Sequence, residues 1–152
     1  MKKLLIIACA FAFLSGCKQE DIMASGAHFG EEIKLVSGNS LQVSPKGTQT
    51  KPTEAVSVVI EGISDSRCPK DVTCVWAGKV DVSLILTSAD NQKANVSLCL
   101  GQCDNTAFKE RDTKTVVLGG LNYKVTLLQV NPYPDKQNNT TPKHVILQIE
   151  QV

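Results

Sequence analysis

The chain contains six cysteines, and the thiol is the side chain whose chemistry the sequence most clearly uses. A thiol can take up a lipid, pair into a disulfide or bind a soft metal ion, and the residues around it decide which. Cys9 and Cys17 lie at the apolar start of the chain and are considered apart from the rest. The other four lie in its polar body: Cys68, Cys74, Cys99 and Cys103.

The start of the chain has the pattern of a secretory signal peptide. Lys2 and Lys3 provide a positive beginning, and an apolar run from Leu4 to Leu14 follows. This run is shorter than the roughly 20 residues that a membrane-spanning helix needs. The sequence therefore predicts export across a membrane rather than a transmembrane helix.

The apolar run ends in Leu14-Ser15-Gly16-Cys17, which resembles the lipobox of bacterial lipoproteins. The resemblance implies removal of residues 1–16, a diacylglycerol on the Cys17 thiol and an acyl chain such as palmitate on the new amino group. An ordinary signal peptide is the alternative, although such peptides favour A-x-A cleavage sites. Because each buried CH₂ contributes about 0.8 kcal/mol, several acyl chains make a durable anchor. The first expected partner is therefore a membrane, held through lipid on Cys17.

The residues after Cys17 bear on the location of the protein. Residue 18 is Lys and not Asp, which argues against retention in the inner membrane. Lys18 with Glu20 and Asp21 is similar to the surface-export signal of Bacteroidetes lipoproteins, although Gln19 interrupts it and a solvated polar tether would explain the same residues. We expect residues 17–30 to form a flexible tether. The expected location is the bacterial cell envelope, at the outer membrane, on its periplasmic or surface face.

Charge argues against a nucleic-acid partner. Removing Lys2 and Lys3 from the sixteen basic residues leaves fourteen against fifteen acidic ones, a net charge near −1. Nucleic-acid binding proteins instead carry a basic face or stripe. The remaining body, residues 31–152, is long enough to form one domain with its own core.

Apolar and polar residues alternate with a period of two through most of this body, which is typical of half-buried strands. Turn sequences separate the runs: Ser37-Gly38-Asn39, residues 88–92, Gly119-Gly120 and the proline-rich residues 131–135. A helical turn is possible only near 104–111. We predict an all-β fold, an antiparallel β-sandwich of about seven to eight strands, with a small β-barrel as the alternative.

An even number of body cysteines in an exported protein predicts two disulfides. Three pairings are possible. Cys68–Cys74 and Cys99–Cys103 are favoured, because each closes a short loop within one segment. A four-thiolate metal site is the alternative, but the C-x5-C and C-x3-C spacings differ from zinc knuckles. We expect no metal and no cofactor.

The most distinctive stretch reads D-S-R-C-P from Asp65 to Pro69, and then C-V-W-A-G from Cys74 to Gly78. It resembles a group of uncharacterised bacterial secreted proteins and lipoproteins that share D-S-R-C-P, a short loop and C-x-W-x-G. In that group a Tyr-containing strand ending in Pro-Tyr-Pro follows, then a last strand. Residues 123–134 and 144–151 fit that order, so the resemblance covers most of 31–152. The group has no agreed activity, and the resemblance implies fold and export only.

Each residue type in this motif has a structural interpretation. A Cys68–Cys74 disulfide would staple a junction between two strands. Asp65 can accept hydrogen bonds from backbone N–H groups of the turn, and Arg67 can pair with Asp65 or with loop carbonyls. Trp76 is expected to open the next strand and pack under the disulfide. Gly78 indicates a bulge or a close backbone approach.

The functional interpretation is a binding loop that comprises Asp65, Arg67, Lys70 and Trp76. One form of it is a protease inhibitor, in which the disulfide ring 68–74 presents Lys70 to a trypsin-like pocket. A rigid loop binds better because it loses less entropy.

No constellation of residues suggests an enzyme. His28 and His144 have no neighbouring nucleophile motif, and Glu31 and Glu32 would point to opposite faces of a strand. We therefore expect no catalytic residues and no enzyme. The leading hypothesis is a lipid-anchored, non-catalytic binding or accessory β-domain, whose partner is an envelope protein or a small ligand. The alternatives are the protease inhibitor and an envelope enzyme without a recognisable motif.

Overall fold

A computed structural model describes residues 26–47, 54–104, 107–135 and 141–152 of the chain. Cys17 and the predicted signal peptide lie outside these residues. The described part forms nine strands: β1 (Ala27–His28), β2 (Glu32–Val36), β3 (Ser40–Ser44), β4 (Val56–Asp65), β5 (Lys79–Ser88), β6 (Lys93–Gly101), β7 (Asp112–Leu118), β8 (Leu121–Asn131) and β9 (His144–Gln151). None of the described residues belongs to a helix with the length and hydropathy to cross a bilayer.

The strands form two separate sheets, which confirms the all-β prediction and the sandwich. One sheet has the order β1-β3-β4-β5-β6 and the other β2-β9-β8-β7. All neighbouring pairs are antiparallel except β1 with β3. Both sheets retain edge strands, so the alternative of a closed barrel is wrong.

Strand β1 lies inside the segment that we predicted as a tether. Ala27 pairs with Val43, and the following Phe29 packs against the core with its ring centroid 5.7 Å from that of Tyr123. The ordered fold therefore begins before residue 31. A two-residue strand is too short to form an alternating pattern, so it could not be predicted from the sequence.

The predicted turns at residues 37–39 and 119–120 join strands as expected, and one of them connects the two sheets. Gly119 and Gly120 have φ of 60° and 78° and join β7 to β8, as a two-residue hairpin requires. Residues 37–39 also join two strands, yet β2 and β3 lie in different sheets, so this turn crosses the sandwich. The expected helical turn is not seen in the described residues near 104–111, where Lys109 instead forms an isolated bridge with Gly101.

The core lies between the two sheets and follows the alternation of the sequence. On β5, every second residue from Val80 to Leu86 is fully buried. Facing strands of the second sheet contribute residues such as Val125, Leu127 and Leu147. Burying one such side chain contributes roughly 1.5–3 kcal/mol, so this layer is the main source of stability.

Strand register defines two ends of the sandwich. At one end β4 finishes at Asp65, opposite Val80. The adjoining loops are 37–39, 66–78, 102–104, 107–111, 132–135 and 141–143, and we call this end the disulfide pole. The other end is the entry pole, where Ala27 pairs with Val43 and Val43 pairs with Val56. With about 3.3 Å per strand residue, β4 separates the two poles by about 30 Å.

Candidate functional site

The four body cysteines form the two predicted disulfides. Cys68 bonds to Cys74 across a Cα–Cα distance of 6.0 Å, and Cys99 bonds to Cys103 across 5.9 Å. All four sulfur atoms are therefore bonded in pairs, and the four-thiolate metal alternative is wrong. Both bridges lie at the disulfide pole, one in the loop after β4 and one at the end of β6.

Asp65 and Arg67 form a buried ion pair at the end of β4. The Arg67 Nε and Nη2 atoms donate to Asp65 Oδ1 and Oδ2 at 2.8 and 2.7 Å. The backbone N–H of Arg67 also donates to Asp65 Oδ1 at 3.3 Å, which closes the expected turn. The side chains of Asp65 and Arg67 are only 3% and 9% exposed, respectively, so this two-pronged pair is shielded from water. The predicted pairing of these two residues is confirmed.

The ion pair also holds the second sheet, through residues that sequence reasoning missed. Lys143 Nζ donates to Asp65 Oδ2 at 2.7 Å, and Arg67 Nη2 donates to the carbonyl of Val130 at 3.0 Å. The Arg67 guanidinium lies over the ring of Tyr133, with Cζ 4.3 Å from the centroid. These partners are more than 60 residues away in sequence, so no local spacing could reveal them.

This network keeps Asp65 ionised. Burial alone would raise the pKa of Asp65, but hydrogen bonds from Arg67 and Lys143 hold the pKa below its ordinary value. Both carboxylate oxygens already accept hydrogen bonds from cationic groups of the protein. Asp65 and Arg67 are therefore positioning residues that fix the loop, with both carboxylate oxygens and the Arg67 Nε and Nη2 atoms engaged within the protein.

The base of the loop after β4 is held by its own backbone. Ser66 donates to the carbonyl of Lys79 at 2.8 Å, and Cys68 donates to that of Ala77 at 2.9 Å. Gly78 lies in this base with φ of +71°, and a Cβ there would come within 2.0 Å of the Ser66 carbonyl oxygen. The predicted close approach at Gly78 is therefore present. A side chain at this position would force the two arms of the loop apart.

The disulfide ring contains a tight turn. The N–H of Val72 donates to the carbonyl of Pro69 at 3.2 Å, and the N–H of Lys70 donates to that of Pro134 at 3.1 Å. Lys70 is exposed, with Nζ 5.7 Å from the centre of the Tyr133 ring. A protease cleft takes its substrate as an extended chain, whereas Lys70 lies within a turn. The inhibitor hypothesis stays a prediction, and this backbone geometry does not favour it.

Trp76 does not pack under the disulfide, so that expectation is wrong. Its side chain is 72% exposed. The physical reason is that β5 begins only at Lys79, three residues later. Trp76 thus lies in the loop, and strand alternation does not turn it toward the core. Its neighbour Val75 is 91% exposed and Val72 is 37% exposed.

Exposed apolar side chains are concentrated at the disulfide pole. We call the three on the loop after β4 the apolar patch: Val72, Val75 and Trp76. Phe108 is 61% exposed on the next loop, which Gln102 joins to the carbonyl of Gly78 by a 2.9 Å hydrogen bond. Of the seven large hydrophobic side chains exposed in the described residues, these are four. The remaining three, Val117, Leu121 and Val152, form a smaller group around the β7–β8 hairpin at the entry pole.

The other polar residues considered from sequence do not converge on a cavity. His144 begins β9 and is partly exposed; burial and the charge of Lys34 lower the pKa of its imidazole. A cleft of about 300 Å³ opens between the sheets at the entry pole, lined by residues such as Ala55, Leu118 and Tyr123. Its lining includes none of Asp65, Arg67 and His144. In the described residues, no group of three His, Cys, Asp or Glu side chains is placed to hold a metal ion.

Comparison of the chain with models of protein families, with curated proteins and with solved structures yields no match.

Proposed function

We propose that this chain is a lipid-anchored, non-catalytic domain of the cell envelope that binds a partner through the apolar patch. The anchor rests on the resemblance of Leu14-Ser15-Gly16-Cys17 to a lipobox. The binding role rests on one observation, the 72% exposure of Trp76 on a loop that a disulfide and a buried ion pair hold in place.

The energetics favour this use of the loop. An aromatic side chain the size of Trp buries about 150–250 Å² in an interface, and buried apolar area contributes about 25 cal/mol per Å². Trp is accordingly enriched among the residues that dominate binding energies. Because the loop is fixed by the Cys68–Cys74 bridge and by Arg67, it would lose little conformational entropy on binding.

The buried network supports binding over catalysis. A catalytic acid or base needs a proton-exchanging atom within reach of substrate. Here the Asp65 side chain is 3% exposed and bonded to two cations, and Arg67 is 9% exposed. The most distinctive polar residues of the sequence thus serve to hold the loop, while Val75 and Trp76 on the same loop are apolar and exposed.

Site-specific photo-crosslinking in intact cells tests the proposal. A photoreactive amino acid replaces Val75 in the full chain, and the matched control places it at Val117, which is 66% exposed on β7. We expect an adduct from position 75 and none of the same mass from position 117. Adding Trp76→Ala should reduce the yield of the adduct from position 75 at least tenfold.

Two results would contradict the binding role. One is the same set of adducts from both positions, which would indicate random encounters. The other is an adduct from position 75 that persists unchanged in the Trp76→Ala variant. A chain that partitions into the aqueous phase of a detergent extraction, and that carries no acyl mass on Cys17, would contradict the anchor instead.

A further inference from the structure

We infer that the Cys68–Cys74 disulfide is a redox-controlled clasp, which a dithiol opens in the folded protein to release Val75 and Trp76. The second disulfide, Cys99–Cys103, stays closed under the same conditions. The clasp regulates the apolar patch, and it rests on the proposed function for what it controls. Two observations carry it: the bonds that hold each bridged segment, and the exposure of the two cysteine pairs.

The residues from Thr73 to Trp76 are attached to the rest of the domain by the disulfide alone. Hydrogen bonds of the loop stop at Val72, whose N–H donates to the Pro69 carbonyl at 3.2 Å. They resume at Ala77, whose carbonyl accepts from the N–H of Cys68 at 2.9 Å. Within the described part of the chain, residues 73–76 form no hydrogen bond and no ion pair, and all four are exposed. Opening of the disulfide therefore removes the one bond that fixes this segment.

The second disulfide bridges a segment that backbone hydrogen bonds also hold. Gly101 and Lys109 exchange two N–H···O=C bonds of 2.8 Å. The N–H of Gln102 donates to the carbonyl of Gly78 at 2.9 Å. These three bonds do not depend on the Cys99–Cys103 bridge, so this segment stays in place when its disulfide opens.

Exposure selects the first disulfide as the target of a dithiol. Cys74 is exposed and Cys68 is partly buried, whereas Cys99 and Cys103 are both partly buried. Exchange requires an attacking thiolate to reach one of the two sulfur atoms, so its rate depends on access. An incoming thiolate therefore reacts first at Cys74.

The exchange transfers two electrons from the dithiol to the cysteine pair. A thiolate of the dithiol attacks the sulfur of Cys74, the bond to Cys68 breaks, and Cys68 leaves as a thiolate that takes a proton from water. The second thiol of the reductant loses its proton and attacks the mixed disulfide, which releases Cys74 as a thiolate that is protonated in turn. The reductant ends as a disulfide. Its chemical class is a dithiol, such as dithiothreitol or the reduced active site of a thiol–disulfide oxidoreductase.

Opening changes the binding surface without unfolding the domain. The Asp65–Arg67 ion pair and the hydrogen bond from Ser66 to Lys79 lie outside the disulfide ring, so the base of the loop remains. Val75 and Trp76 gain conformational freedom, and a partner would have to order them again on binding. The closed disulfide thus corresponds to the binding form of the patch and the open one to a weak form.

The rates of opening provide the first test. The full-length protein in detergent is treated with dilute dithiothreitol, quenched with acid and alkylated, and the alkylated cysteines are identified by mass spectrometry. Alkylation of Cys68 and Cys74 should proceed at least about tenfold faster than that of Cys99 and Cys103, because access sets the rate. Equal rates, or faster opening of Cys99–Cys103, would overturn the inference.

Trp76 is the only tryptophan of the chain, so its fluorescence anisotropy reports on the released segment. When Cys68–Cys74 opens, the anisotropy should fall toward that of the urea-unfolded chain, while hydrogen exchange in β5 and β8 stays unchanged. Unchanged anisotropy after opening would show that the backbone alone holds the segment, and would overturn the clasp. The matched control replaces Cys99 and Cys103 by Ser and should keep the response to dithiothreitol. This response is measured on the parent protein, so it does not depend on the folding of any variant.

Crosslinking in intact cells separates the clasp from the proposed function. Dithiothreitol should reduce the yield of the adduct from position 75 at least about tenfold, because the released segment binds poorly. An undiminished adduct from chains whose Cys68–Cys74 bond is open would retain the proposed function and overturn the clasp. Release of Trp76 in the purified protein, with no adduct from position 75 in either redox state, would support the clasp and contradict the proposed function.

Discussion

The guanidinium of Arg67 lies over the ring of Tyr133, with Cζ 4.3 Å from the ring centroid, and this contact joins the loop after β4 to the loop after β8. The same guanidinium donates to Asp65 below it and to the carbonyl of Val130 beside it. One side chain therefore ties the two sheets together at the disulfide pole. These contacts of Arg67 hold the loop that carries Trp76 against both sheets.

Removal of Arg67 should destabilise the fold strongly. In Arg67→Ala, Asp65 remains buried and keeps only Lys143 as a cationic partner. Breaking one side of a buried ion pair costs about 3 kcal/mol, and urea denaturation would measure the loss. The control is Lys46→Ala, whose ion pair with Glu31 is mostly exposed and should change stability by less than about 0.5 kcal/mol. Equal effects of the two substitutions would contradict the structural role of Arg67.

Arg67→Lys should recover only part of that loss. Lysine retains the charge but lacks the planar group that forms two parallel bonds to Asp65 and lies over Tyr133. We expect its free energy of unfolding to fall between those of the parent and Arg67→Ala. A variant as stable as the parent would show that charge alone is sufficient at this position.

The contribution of Asp65 should depend on pH in one direction. Burial alone would raise its pKa, yet the hydrogen bonds from Arg67 and Lys143 bring the pKa below the ordinary value of 3.8. A carboxyl with a lowered folded-state pKa stabilises the fold fully above its unfolded-state pKa, and loses this contribution as pH falls through the folded-state pKa. The stability difference between the parent and Asp65→Asn should thus be constant near neutral pH and shrink below pH 3.8. Urea titrations across that range would measure it, and a difference that grows in acid would contradict the assignment.

Gly78→Ala should be far more damaging than substitution of an unconfined glycine. A Cβ at Gly78 would lie 2.0 Å from the Ser66 carbonyl oxygen, in addition to the strain of a φ of +71°. Gly38 has a φ of +91° but open space around it, so Gly38→Ala measures the backbone strain alone, about 1–2 kcal/mol. We expect Gly78→Ala to lose at least about 2 kcal/mol beyond that value in thermal or urea unfolding. Similar losses in the two variants would show that the loop arms can move apart freely.

Trp76 should report an exposed environment in the native protein. Because its side chain is 72% exposed, denaturation should shift its emission maximum only slightly, and acrylamide should quench native and unfolded protein to nearly the same extent. A large red shift on unfolding would indicate a tryptophan packed under the disulfide. No other tryptophan is present to obscure the result.

The two disulfides offer a matched comparison of rigidity and binding. In the chain-entropy account, loops this short each contribute about 2 kcal/mol, so Cys→Ser replacement of either pair should cost a similar amount. Only replacement of Cys68 and Cys74 should weaken crosslinking from position 75, because that ring carries Val72 and adjoins Trp76. Urea unfolding of the two Cys→Ser variants would check that their free energies of unfolding fall by similar amounts. Equal losses of crosslinking would indicate that binding follows global stability and not the order of this loop.

The fold was largely predictable because its information is local. A period of two along β5 and β8 marks the buried face of each strand, and paired glycines at 119 and 120 admit a two-residue turn. The disulfides and the Asp65–Arg67 pair were also predictable, since their members lie within six residues of each other. The two-residue strand β1 has no such pattern and depends entirely on its distant partner β3.

The candidate site was less predictable because it depends on distant partners. Lys143 and Tyr133 reach the loop only through the pairing of β8 with β9, 60 or more residues along the chain from Asp65 and Arg67. The position of Trp76 depends on where β5 begins, and element boundaries follow from tertiary pairing more than from local preference. A large apolar residue such as tryptophan is expected to be buried. Trp76 is exposed because β5 begins three residues after it, which leaves it in the loop.

Pairing of β2 with β9 has a consequence for when this chain can complete its fold during synthesis. Glu32–Val36 finds its hydrogen-bonding neighbour only in His144–Gln151, more than a hundred residues later. A chain threaded amino end first through a ribosome tunnel or a translocase pore therefore cannot complete this sheet until the last strand has emerged. Such non-local pairing slows folding. The order of strands thus sets the earliest moment during synthesis at which this sheet can be completed, independently of any binding that follows.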